Sequence, residues 1–327
     1  MAANRLEAAG RHAAAGLSAS NYPAWRFRRS TLCIANGQLQ EARSVLEDLL
    51  EEAPQPAVQF NLAYVQFQLG LYSSSTATAE PLLNTVAGAP ALWLRSLHQQ
   101  AQVERAWTWV ASALRSGRAL DAELCGVASL LALDAERLAE AEQLADHALQ
   151  ELPQQPEALV AKGSVALGRQ DASAAAQFAT LVIRHRDDGR ARSLLGFAKL
   201  LQQDLAGALA ELERAVVLMP DHVGTWQGLG WTRLLLQDVV GANNAFSSAL
   251  ALDRNLGESH GALAVALATS GKRDEARAHV ERAQRLDPNG VAARYAALLL
   301  SGQATNRAAI ERLASEVLPG LRQQGQT

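Results

Sequence analysis

The 327 residues carry 33 acidic and 30 basic side chains, for a net charge of −3 and a pI near 6.2, so nothing draws the chain generally toward nucleic acid or an anionic membrane. Hydrophobic residues make up 49% but aromatics only 5%, which leaves packing largely to Ala and Leu, both strong helix formers. Cys33 and Cys125 are too few for a disulfide framework and lack metal-site spacing, and neither a signal-peptide core nor a run of eighteen apolar residues occurs, so a cytoplasmic protein is expected.

In chain order, residues 3–19 place Leu6, Ala9, Ala13 and Leu17 at helical spacing and predict an N-terminal capping helix. Residues 23–54 predict a helical hairpin. Pro23 opens it, Gly37 turns it, Leu39, Ala42, Leu46 and Leu49 give the second helix its apolar face, and Pro54 closes it. The next hairpin covers 56–86, with Gly70 lying 33 residues after Gly37. Pro81 falls where its second helix should continue and predicts a break or bend. Residues 90–116 are the least regular, with no turn glycine and with Trp93, Trp107 and Trp109; the frame there is open by one or two residues.

From Ala122 the register is steady, with hairpins expected over 122–153, 156–187, 189–220, 223–254 and 257–288. Small residues of the first helices, Ser129, Gly163, Gly196, Gly230 and Ala264, are spaced 34, 33, 34 and 34 apart. Ala141, Ala175, Ala208, Ala242 and Ala276 of the second helices keep the same intervals, as do the closing positions Pro153, Asp187, Pro220, Arg254 and Pro288. A helix at 291–300 and an amphipathic stretch at 306–322, striped by Ile310, Leu313, Ala314, Val317 and Leu321, predict a C-terminal cap.

Trp226-x-x-Leu229-Gly230, followed by Ala242-x-x-x-Phe246 and Ala249, resembles the tetratricopeptide repeat, a unit of two helices with large and small residues at set places where they cross. The resemblance covers about eight units and is sharpest over 122–288. It implies an all-α, right-handed superhelical solenoid with N- and C-terminal capping helices, one array over 1–327 in which each unit packs on its neighbours. Residues 23–118 would be irregular units, 122–288 regular ones, and 291–322 the C-terminal helices. Arg26, Arg29 and Ser30 fall where the family prefers apolar or small residues, Lys199 and Arg233 replace an aromatic, and Arg254 replaces the closing proline.

In this family the first helix of each unit lines a concave face. The second unit carries two apolar stripes there, Val58, Leu62, Val65 and Leu69, and, starting two residues later and about 200° around the helix, Phe60, Tyr64 and Phe67. The groove positions the resemblance implies are Phe27 and Ile34, then Phe60, Tyr64 and Phe67, then Leu130 and Leu133. Phe197, Leu200 and Leu201 follow, then Trp231, Leu234 and Leu235, then Val265. Burial between neighbouring hairpins is the competing reading for each of them, and Trp226 is expected in the core. Asn61 sits at one position of the family's carboxylate clamp, but the clamp lysines are absent, so an acidic C-terminus is not the expected ligand.

The expected function is a non-catalytic protein–protein scaffold or adaptor holding a helical or extended segment of a partner in an apolar groove. A bacterial secretion or assembly chaperone and a structural homo-oligomer are the alternatives. His-Glu-x-x-His, Cys-x-x-Cys, phosphate-loop and Gly-x-Ser-x-Gly motifs are absent, so no enzyme activity, cofactor or metal is expected. His185-Arg186-Asp187 lacks the asparagine that would give it catalytic meaning, and Glu275 with His279 reads as a helix-surface pair. The basic clusters Arg26, Arg28, Arg29 and Arg184, His185, Arg186, Arg190, Arg192 read as solvated faces. Neither nucleic acid nor a membrane is an expected partner.

Overall fold

The computed structural model describes residues 22–302; the caps expected at 3–19 and 306–322 lie outside the described residues. Every described element is helical. Eight hairpins follow one another: α1 (Pro23–Ala35) with α2 (Leu39–Glu52), α3 (Pro56–Gln68) with α4 (Tyr72–Ala79), α5 (Ala89–Gln99) with α6 (Val103–Arg115), and α7 (Ala122–Asp134) with α8 (Leu138–Glu151). Then come α9 (Pro156–Gly168) with α10 (Ala172–Ile183), α11 (Gly189–Leu201) with α12 (Leu205–Leu218), α13 (Val223–Leu235) with α14 (Val239–Leu252), and α15 (Gly257–Thr269) with α16 (Arg273–Leu286), after which α17 (Val291–Ser301) packs on α15. Connections this short set consecutive helices side by side and antiparallel. The chain divides into two compact units, Met1–Leu131 and Ala132–Thr327.

One turn geometry closes all eight hairpins. Gly37, Gly70, Ala101, Glu136, Gln170, Gln203, Gln237 and Gly271 adopt left-handed backbone, with φ from 55° to 79°. The next residue's N–H then donates to the carbonyl five positions back, as Gln38 to Cys33, Asp204 to Lys199 and Lys272 to Leu267 do at 2.8 to 3.0 Å. This is the Schellman closure, which satisfies carbonyls left over at a helix end. In three hairpins the following residue also caps the second helix. The side chains of Asp171, Asp204 and Asp238 accept from the backbone N–H of Ala174, Gly207 and Gly241.

The turn sets the packing register. Seven residues before each left-handed residue lies a buried position, Ser30, Ala63, Leu94, Ser129, Gly163, Gly196, Gly230 or Ala264. Five residues after it lie Ala42, Ser75, Ala106, Ala141, Ala175, Ala208, Ala242 and Ala276, all 0% exposed. The two columns meet at the helix crossing. A Cβ built on Gly163 would stand 3.5 Å from the Ala175 carbonyl, and one on Gly196 would stand 3.5 Å from that of Ala208. In the third hairpin Leu94 occupies the small-residue place, which is the physical content of its irregularity. The break expected at Pro81 is present: α4 stops at Ala79 and a single 3₁₀ turn, Glu80–Leu82, follows.

Leu46, Leu49, Val58, Leu62 and Val65 centre a core in the first unit. In the second unit a core running from α9 to α17 joins Leu194, Phe197, Leu212, Trp231, Phe246 and Leu263.

Candidate functional site

On α3, Val58, Leu62 and Val65 are buried, as the first of its two stripes predicts. The second stripe is graded. The Phe60 ring lies against Gly88, where an added Cβ would meet it at 3.1 Å, and the Phe67 ring tilts against Tyr72 with centroids 5.5 Å apart. Both are half-buried. Tyr64, between them, is 37% exposed. Ala57 and Gln68 are exposed and Asn61 is half-buried, so α3 presents a tyrosine flanked by two fixed phenylalanines and two amides. Phe27 and Ile34 are half-buried against the same core.

The other groove positions carry little apolar surface. Leu130, Leu133, Phe197, Leu200, Leu234 and Val265 are buried, and Leu201 and Leu235 are half-buried against the second core. Trp231, expected at the groove, is fully enclosed, its ring meeting Phe246 edge-on at 5.3 Å. Trp226, expected in the core, is the half-buried one, and its Nε1 donates to the Pro220 carbonyl at 2.7 Å. Flanks that a lone hairpin would leave open are covered here by the hairpins on either side. In the third hairpin Trp93 and Trp107 are buried. Trp109 stands 6.0 Å from Trp93, with the guanidiniums of Arg105 and Arg118 over the two rings. This is a structural brace.

The second unit holds polar contacts that sequence reading missed. Ser193 Oγ lies 2.9 Å from Thr225 Oγ1, and the Thr225 N–H donates to His222 Nδ1 at 3.1 Å, so that imidazole caps α13. Gln227 Nε2 donates to Ser259 Oγ at 2.8 Å. His260 Nε2 donates to the Arg254 carbonyl at 3.1 Å, and its Nδ1 stands 2.9 Å from His279 Nδ1, so the hydrogen-bonding partner of His279 is His260. Burial, and then the nearby Arg190, pushes His222 down to about 4. Burial, and then Asp287, pushes Glu258 up to about 7.

The basic clusters are largely engaged within the chain. Arg26 pairs with Asp48 and Glu52, Arg190 with Asp134 through two bonds of 2.9 Å, and Arg192 with Asp187 and Glu211. Among the described residues no three His, Cys, Asp or Glu side chains gather as metal ligands, and no helix is long and apolar enough to cross a membrane.

Residues 257–289, the α15–α16 hairpin, match the model of the tetratricopeptide repeat. That hairpin is a tetratricopeptide repeat. The left-handed turn and the buried crossing positions of that segment recur in the other seven hairpins. A chain in the crystal structure of the APC/C hetero-tetramer Cut9–Hcn1 is 16% identical with a TM-score of 0.55 over 86% of this chain, a likeness of fold that makes this an all-α solenoid. This chain spans only 63% of that relative's length. A tetratricopeptide protein from Parabacteroides merdae is 13% identical, with a TM-score of 0.43 over 85% of this chain and 98% of that one. YrrB, described as a TPR protein with an unusual peptide-binding site, is 20% identical, with a TM-score of 0.43 over 54% of this chain and 92% of that one. No curated protein matches this sequence.

Proposed function

We propose that this protein is a non-catalytic scaffold that binds a segment of another polypeptide on the α3 face centred on Tyr64. The observation that carries the reading is the exposure of Tyr64 between the half-buried rings of Phe60 and Phe67. An aromatic side chain has few rotatable bonds to immobilise on binding, and covering such a ring contributes roughly 1.5 to 3 kcal/mol when burial is complete. Tetratricopeptide repeats bring a protein-interaction fold to this reading. The test is crosslinked co-purification from the native cell, wild type beside Tyr64→Ala, with both folds verified by circular dichroism. The expected result is a polypeptide recovered with wild type and lost with the folded variant; equal recovery places binding elsewhere.

A further inference from the structure

We infer that the segment bound on the α3 face is itself uncharged where it touches, built of aliphatic, aromatic, proline or amide residues. This deepens the function just proposed and rests on it. From Ala53 to Leu94 the chain holds one charged residue, Glu80, although charged residues make up 19% of the whole. Helices α3 and α4 carry none. The solvent side of α3 therefore offers Tyr64, the methyl of Ala57 and the amides of Asn61 and Gln68, with no ion on either helix of the hairpin.

Many charges on the flanking helices are paired within the chain, while Arg28 of α1 is exposed and lies over the Trp25 ring. Glu80 holds Arg105, Arg26 holds Asp48 and Glu52, Arg29 holds Glu41, and Arg95 holds Glu123. Arg118 donates to Asn84 and to the Leu83 carbonyl while lying over Trp109. A Lys, Arg, Asp or Glu of a partner brought onto α3 would shed water and meet no counter-charge on α3 or α4, so its desolvation goes uncompensated there. An uncharged segment escapes the penalty, can stack on the tyrosine ring, and can exchange backbone hydrogen bonds with the two amides. Depletion of charge with enrichment of aromatics is also the composition of buried interface centres. Selectivity here comes from what the face rejects as much as from what it attracts.

The test pans the full chain against a phage library of random dodecapeptides, using wild type, Tyr64→Ala and Gln68→Lys as baits after circular dichroism confirms folding. Expected are clones that lose about tenfold or more in titre on Tyr64→Ala and in which Asp, Glu, Lys and Arg fall to about half their library frequency or less. Gln68→Lys is expected to shift recovered clones toward Asp and Glu, and it serves as the independent variant if Tyr64→Ala does not fold. Tyr64-dependent clones carrying charge at library frequency overturn the inference and leave the site standing. Clones bound equally by Tyr64→Ala, or no clones at all, overturn site and inference together. A wild-type dimer in sedimentation equilibrium that Tyr64→Lys dissociates makes a second copy the occupant, which also overturns the inference.

Discussion

Replacing Gln203 with glycine is expected to stabilise the protein although it deletes a side chain. Gln203 holds φ at 61° in the α11–α12 turn and its side chain is exposed. An L-residue in left-handed backbone costs about 1 to 2 kcal/mol, because its Cβ crowds the following carbonyl oxygen. Glycine removes that strain and gives back about 0.5 to 1 kcal/mol through the greater freedom of the unfolded chain, for a net gain of about 0.5 to 1 kcal/mol. Gln170 at 63° and Gln237 at 65° are equivalent and lie in separate hairpins, so the triple variant should gain about 2 kcal/mol. The assay is urea unfolding followed by circular dichroism, with Gln203→Ala as control; alanine keeps the strain and should move the midpoint little. The reverse change, Gly271→Ala, should cost about 1 kcal/mol. A Cβ there meets nothing within 4 Å, so only backbone strain is at work. A Gln203→Gly midpoint at or below that of Gln203→Ala would refute the reasoning.

Gly230→Ala should destabilise by about 1 to 3 kcal/mol in thermal unfolding despite better helix propensity, because its Cβ would stand 2.4 Å from the Phe246 ring; Phe246→Leu in that background should recover part of the loss. Trp231→Ala should cost about 3 to 5 kcal/mol and Trp226→Ala clearly less, since only the former is enclosed. Below the ordinary histidine value the unfolded chain takes up a proton that folded His222, held at about 4, refuses. Its contribution to stability is therefore present above about 6.5 and is lost as pH falls toward 4, and His222→Asn should flatten that acid limb of a urea-midpoint profile. Glu258 has the opposite sign. With a folded value of about 7, its contribution is present below the ordinary carboxylate range and is lost as pH rises through 7, so Glu258→Gln should gain on wild type in midpoint between pH about 5 and about 8.

How far the sequence discloses this molecule depends on which neighbours decide each residue. The crossing alanines and glycines are legible because a helix crossing excludes larger side chains. Gly37, Gly70 and Gly271 are legible as turns, and Pro81 as a break. Ala101, Glu136, Gln170, Gln203 and Gln237 occupy the same left-handed turn with no side-chain signal for it, and only the common count from turn to crossing exposes them. Leu94 hides the frame of the third hairpin because it is large where the pattern expects a small residue. Trp231 is more enclosed than Trp226 although both lie on one apolar helix, because Trp231 meets Phe246 of the next helix while Trp226 only borders the core. The α3 aromatics are legible as a second stripe, but only the packing of Phe60 on Gly88 and of Phe67 on Tyr72 singles out Tyr64. The scarcity of charge from Ala53 to Leu94 is plain in the sequence and gains meaning once the solvent side of α3 is known.

The most direct test of the central claim is photocrosslinking in the native cell with p-benzoylphenylalanine at position 64, beside the same group at Val217, which is 68% exposed on α12. A scaffold that binds through α3 gives a discrete polypeptide adduct from position 64 that is absent from position 217. Identical adducts from both positions, or none from position 64, contradict it.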